Sequence, residues 1–207
     1  MIINEYFSLS TLELIEAGDY LISKYPEWKW CKDEKDLVKD NKIPKDKVYL
    51  KATFNCSQRV RDYINSISNL IIEEEIKGND EKDNNKTKEK IIENKMRIYD
   101  VYIAYDFQYY CPRIWFMGYD CNNKPLNFDE INEDIMPDNR SIDCTIEVQP
   151  FNGIKCMSIN PSGYLFLFKR VRKSFKEKVF IILLNFIHSI IPTIIRSDYG
   201  QDIILNL

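Results

Sequence analysis

An α+β fold, a small antiparallel sheet flanked by helices, is what this sequence predicts, on three observations. A capped helical segment opens the chain, an alternating stretch and two β-branched and aromatic runs fill its middle, and an apolar helical run lies near its end. All 207 residues are expected to form a single domain, interrupted at 73–95 by a charged insertion.

The elements follow in order. Ser10 and Thr11 offer hydroxyls suited to an N-cap, and Leu12, Ile15 and Leu21 recur on roughly helical spacing, which predicts a leading helix. Pro26-Glu-Trp-Lys-Trp breaks it, and 32–47 reads as a charged loop. Residues 48–54 alternate as a half-buried strand does. The stretch 73–94 carries acids and lysines with almost no large apolar side chain before Ile91. Such a segment cannot offset the entropy of ordering and is expected to be mobile. Residues 97–106 and 112–120 read as neighbouring antiparallel strands, with a turn at Asp120-Cys-Asn-Asn-Lys-Pro. Asn127 stands three before Glu130, a capping-box start for a short helix through Ile135. Residues 144–148 suggest another strand, 157–162 a turn out of extended chain, and 166–191 a largely helical end stopped or kinked by Pro192.

Composition excludes several functions. A net charge of −3 with basic residues spread among acids gives no electrostatic footprint for nucleic acid. Six cysteines without a C-x-x-C pair, beside one histidine, His188, match no usual zinc pattern and read as free thiols of a reducing compartment. No metal and no cofactor are expected. The first residues lack the basic start and apolar centre of a secretory signal, so a cytoplasmic location is expected. The apolar run 179–195 is short for a membrane span and holds Asn185, His188 and Pro192, so it reads as a buried helix. No Gly-rich phosphate loop and no G-x-S-x-G elbow occurs.

Four stretches carry a more specific signal in combination. They are Glu16-Ala-Gly-Asp-Tyr-Leu with Pro26-Glu-Trp-Lys-Trp; Tyr99-Asp-Val-Tyr-Ile-Ala-Tyr-Asp-Phe-Gln-Tyr-Tyr-Cys-Pro-Arg-Ile-Trp-Phe-Met-Gly-Tyr-Asp; Pro125-Leu through Glu133-Asp-Ile; and Phe186 through Ile191-Pro-Thr-Ile. Taken singly, each reads as core packing or a helix end. Together they resemble the autophagy-related protein three family, which has a ubiquitin-conjugating-enzyme-like fold. The resemblance implies that the chain accepts a ubiquitin-like autophagy modifier from its activating enzyme as a thioester and passes it to the amine of phosphatidylethanolamine. It implies those two proteins as partners, together with peripheral contact to phosphatidylethanolamine membranes.

The family presents its nucleophilic cysteine in a His-Pro-Cys turn, and the matching triplet here is Asn160-Pro161-Ser162. Ser162 is thus the candidate catalytic position. Asn160 is a candidate either to donate a hydrogen bond to an oxyanion or to hold the turn. Thr145 matches a threonine-bearing segment beside the family's active site. A serine hydroxyl needs an adjacent base to act as a nucleophile, and none is near in sequence. Cys144 and Cys156 are therefore possible substitutes, read otherwise as buried strand thiols. A catalytically silent adaptor that binds the modifier or its activating enzyme is the alternative.

Overall fold

The computed structural model describes residues 8–32, 42–56, 59–60, 62–65, 96–136, 144–164 and 179–194. The charged insertion 73–95 and the expected helical stretch before 179 lie outside the described residues. Within them the chain runs α1 (Thr11–Lys24), β1 (Lys29–Cys31), β2 (Tyr49–Cys56), β3 (Arg97–Asp106), β4 (Cys111–Tyr119), α2 (Phe128–Asn132), β5 (Cys144–Val148), β6 (Lys155–Ile159), a 3-10 turn (Pro161–Gly163) and α3 (Val179–Ile190). The six strands form one antiparallel sheet in the order β1-β2-β3-β4-β6-β5. With its flanking helices this is the α+β, ubiquitin-conjugating-enzyme-like architecture expected. Two strands were not expected as such: β6 takes Lys155–Ile159, where only extended chain entering a turn at 157–162 was read, and β1 forms within the segment read as a break, where Trp30 pairs with Leu50 of β2. Three residues are too few to show alternation, and pairing with a neighbour decides the outcome.

Local chemistry sets the helix starts. Ser10 accepts the Glu13 amide while the Glu13 carboxylate reaches back to Ser10, and Asn127 and Glu130 repeat the capping box at α2. α2 stops at Asn132, short of the predicted Ile135, and the chain turns so that the Met136 amide donates to the Ile190 carbonyl of α3 at 2.8 Å.

The register decides which side chains share a face. Val101, Phe116 and Ile159 lie against Ile187, Ile190, Ile191 and Ile194, so α3 covers one side of the sheet. On the other side Tyr49, Tyr102 and Trp115 meet Phe151 from the β5–β6 loop. Phe151 stacks on Tyr49 at 4.2 Å and stands edge-on to Trp115 at 5.3 Å. The centre of the sheet is therefore sealed on both faces.

Two motifs from the sequence have packing explanations. Gly18 is the point where α1 meets β1: a Cβ there would lie 2.2 Å from Cζ2 of Trp30. Asp19 then accepts the Trp30 indole N–H at 2.8 Å and pairs with Lys47 at 2.7 Å. In the Gly-Tyr-Asp at the end of β4, a Cβ on Gly118 would come within 2.7 Å of Tyr99 and Leu126.

Three buried carboxylates fasten the strands, and Asp100 of β3 does so by accepting the Thr53 hydroxyl at 2.6 Å and pairing with Lys51 at 2.8 Å, both from β2. Asp134, fully buried after α2, accepts hydrogen bonds from Arg59 at 3.0 Å, Arg97 at 2.8 Å and the Tyr99 hydroxyl at 2.5 Å. Desolvation, reinforced by the Asp134 charge, pushes the Tyr99 phenol far above its usual range, so it remains a donor. Asp106 at the end of β3 binds Arg113 of β4 at 3.1 Å, and its other oxygen accepts the amides of Gln108 and Tyr109, which shapes the β3–β4 turn. Arg113 also donates from Nε to Ser158 of β6 at 2.8 Å and lies over the Trp115 ring at 5.5 Å. Its Nη2 stands 2.6 Å from Glu147 of β5, an ion pair outside hydrogen-bond alignment.

Gly18→Ala is expected to destabilise the domain by roughly 1–3 kcal/mol, because the new methyl must displace Trp30. Urea unfolding measures this, and unchanged stability would refute the close approach. Arg113→Ala strands a buried Asp106 and is expected to cost about 3 kcal/mol, with Arg113→Lys recovering part of it. Equal stability of all three proteins would show that the guanidinium contributes nothing.

Candidate active site

β6 runs out at Ile159, and the next three residues make a tight turn for identifiable reasons. Asn160 remains extended, with φ −63° and ψ 127°, as a residue before proline prefers. Pro161 supplies the fixed φ of a first helical position. The Asn160 side-chain oxygen accepts the Ser162 amide at 3.1 Å, and its carbonyl accepts the Gly163 amide at 3.0 Å. Asn160 thus caps the turn.

Tyr164 anchors the far side. It is fully buried, packs on Phe186 of α3 with centroids 5.1 Å apart, and donates its hydroxyl to the Pro112 carbonyl at 2.6 Å. Desolvation holds that phenol well above its usual range. The turn is therefore clamped between α3 and the start of β4, while Ser162 at its tip is exposed.

Of the sequence candidates, Asn160 and Ser162 are brought together by this turn. Thr145 sits on β5 opposite Ser158, one pair back from the end of the ladder, where Cys144 faces Ile159. Its side chain is exposed, and no hydrogen bond joins it to Ser162. Among the described residues nothing hydrogen-bonds the Ser162 hydroxyl, so no general base is in place for it. No group of three or more His, Cys, Asp or Glu side chains among them is arranged to hold a metal.

The thiols divide by environment. Cys156 is buried, and desolvation pushes it up to about 12; Cys111 is buried and raised further for the same reason. Cys144 is half-buried at the strand end nearest the turn, and Cys121 is exposed in the turn after β4. Cys156 therefore cannot supply useful thiolate at neutral pH.

Sequence reasoning missed Arg113, Asp106, Ser158 and Glu147, which fix the end of the sheet that carries the turn. Pro112-Arg113 stood out as a pattern, but Arg113 finds its partners seven and 45 residues away in sequence. Local spacing holds no trace of such a cluster.

Comparison with known proteins bears on this geometry. A profile of the family described as "Autophagocytosis associated protein, active-site domain" matches residues 13–198. Autophagy-related protein 3 of Saccharomyces cerevisiae (strain ATCC 204508 / S288c) is 28% identical over 223 residues, covering 82% of this chain and 71% of its own. The protein of the same name from Vanderwaltozyma polyspora is 26% identical over 228 residues, covering 82% and 70%. That of Dictyostelium discoideum is 35% identical over 108 residues, covering 48% and 32%. With the sheet, the helices and the Asn-Pro-Ser turn where the sequence places them, the chain belongs to the autophagy-related protein 3 family of autophagy conjugating enzymes.

Proposed function

We propose that this chain takes a ubiquitin-like autophagy modifier from its activating enzyme and transfers it to the amine of phosphatidylethanolamine, with Ser162 at the acyl-carrying position. The observation that carries this reading is the exposed Ser162 on a turn capped by Asn160 and anchored by Tyr164, in the triplet that matches the family's nucleophile turn. A nucleophile must be accessible to a protein-sized donor yet rigid, and this turn meets both demands.

The chemistry is acyl transfer. The Ser162 oxygen attacks the carbonyl carbon of the modifier's thioester on the activating enzyme, a C–O bond forms and the C–S bond breaks. The departing thiolate takes up a proton, and the serine proton passes to solvent. In the second step the lipid amine attacks the ester carbonyl, an amide forms, and the Ser162 hydroxyl is regenerated with the proton that the amine gives up. An oxyester is a poorer acyl donor to an amine than a thioester, so both steps are slower than with a cysteine. In this reading Thr145, exposed on β5 opposite Ser158, lines the approach of the donor.

The bare Ser162 hydroxyl favours a second reading, in which the chain binds the modifier or its activating enzyme without turning over. Both readings share the partners and differ in covalent chemistry.

Incubation with modifier, activating enzyme and ATP, read by intact mass, separates them. An adduct resistant to thiol and labile to alkali, and lost in Ser162→Ala, is expected. Binding without any adduct would establish the adaptor. An absent base costs about 10²–10⁴ in rate, and a thiolate needs none, so Ser162→Cys is expected to speed adduct formation about a hundredfold or more.

Alkylation with iodoacetamide tests the substitutes. With a pKa near 12, Cys156 is thiolate in roughly one molecule in ten thousand at pH 8. Cys121 is expected to react first, and Cys156 and Cys111 only on unfolding. Rapid alkylation of native Cys156 would return it as a candidate nucleophile.

A further inference from the structure

We propose that the outer edge of β5 seats the modifier's carboxyl-terminal tail, which adds there as a further antiparallel strand. The proposal rests on the acyl-carrying reading above and specifies how the acyl group reaches Ser162.

β5 is the last strand of the sheet, and among the described residues no strand pairs with its outer edge. The Gln149 amide donates to the Ile154 carbonyl at 2.9 Å, one register step beyond the Val148–Lys155 pair. Antiparallel pairs alternate between those that exchange hydrogen bonds and those that do not. Thr145 and Glu147 therefore direct their amides toward β6, as Gln149 does, while Ile146 and Val148 direct theirs outward. The side chains of Ile146 and Val148 are 47% and 61% exposed, so the edge combines free backbone groups with an apolar strip. Edge strands are commonly protected by an outward charge, a proline or a bulge. β5 has no proline, and its one charge, Glu147, is drawn to Arg113.

Strand direction selects the occupant. β6 runs toward the Ser162 turn and β5 runs away from it, so a segment antiparallel to β5 runs toward it again and ends beside Cys144, opposite Ile159. A parallel segment would bring an amino terminus to that place. The group to be carried is a terminal carboxyl, and only the antiparallel arrangement delivers one. Two strand spacings, roughly 10 Å, separate an added strand from β6. About three extended residues span that distance, so the last residues of the tail leave the edge and cross to Ser162. The fitting ligand is an extended terminus with an apolar side chain at alternate positions, beside Ile146 and Val148, and a slender end.

Residue-resolved amide exchange on the nitrogen-15-labelled full chain tests this, with intact modifier and with modifier lacking its last residues. The Ile146 and Val148 amides are expected to slow about tenfold or more with intact modifier and to stay unchanged with the truncated one. Ile146→Pro removes an outward amide without touching the β5–β6 ladder, and is expected to weaken modifier binding about tenfold while Ile146→Ala weakens it less. An adduct at Ser162 with unprotected Ile146 and Val148 overturns the edge proposal and leaves the acyl-carrying reading standing. Neither binding nor adduct overturns both. Concentration-dependent protection without modifier assigns the edge to a second copy of this chain and also overturns the proposal.

Discussion

One guanidinium holds together the end of the sheet that carries the Asn160-Pro161-Ser162 turn. Arg113 belongs to β4, binds Asp106 of β3, donates to Ser158 of β6 and faces Glu147 of β5, so a single side chain spans four strands. A planar fork with five donors can do this where a lysine cannot. Partial burial over the Trp115 ring removes competing water, which strengthens each contact and raises the cost of losing any of them. Asp106 carries the constraint onward, because its second oxygen sets the β3–β4 turn. With strands locked here, the turn that leaves β6 has a fixed starting point.

The opposite end depends on another buried carboxylate. Asp134 gathers Arg59, Arg97 and Tyr99, and the chain then donates from Met136 into the end of α3. A buried anion with two cations and a phenol is fully partnered, as a charge in a dry interior must be. The two clusters divide the work: one ties strands to one another, and the other ties the sheet to the helical layer.

Much of this was legible in the sequence, and the exceptions have physical causes. The Ser10 hydroxyl and the Asn127–Glu130 spacing announced two helix starts because capping is a local interaction, and the structure added Glu13 as the second half of the first capping box. β2 showed itself by alternation, and β3 and β4 as β-branched and aromatic runs. β1 did not, since a three-residue strand exists only through its partner. The Asn160-Pro161-Ser162 turn was visible as a triplet, and its resemblance carried the functional meaning. The Arg113 cluster and the open edge of β5 were invisible because both are made by contacts between distant residues. Cys156 illustrates the same limit: the sequence shows a thiol near the turn, and only its burial shows that the thiol is inert.

The contact between Gly18 and Trp30 has a consequence for how such chains evolve. The residues that make this sequence recognisable, Gly18, Asp19 and Trp30 at one end and Tyr99, Arg113 and Gly118 in the sheet, are held by packing and by buried hydrogen bonds. None of them lies in the Asn160-Pro161-Ser162 turn. The contacts that hold the fold together and the exposed turn therefore occupy separate positions. A chain can change the exposed residue of that turn and keep the packing by which its family is recognised. Family membership is thus written in the scaffold, independently of the side chain that the exposed turn presents.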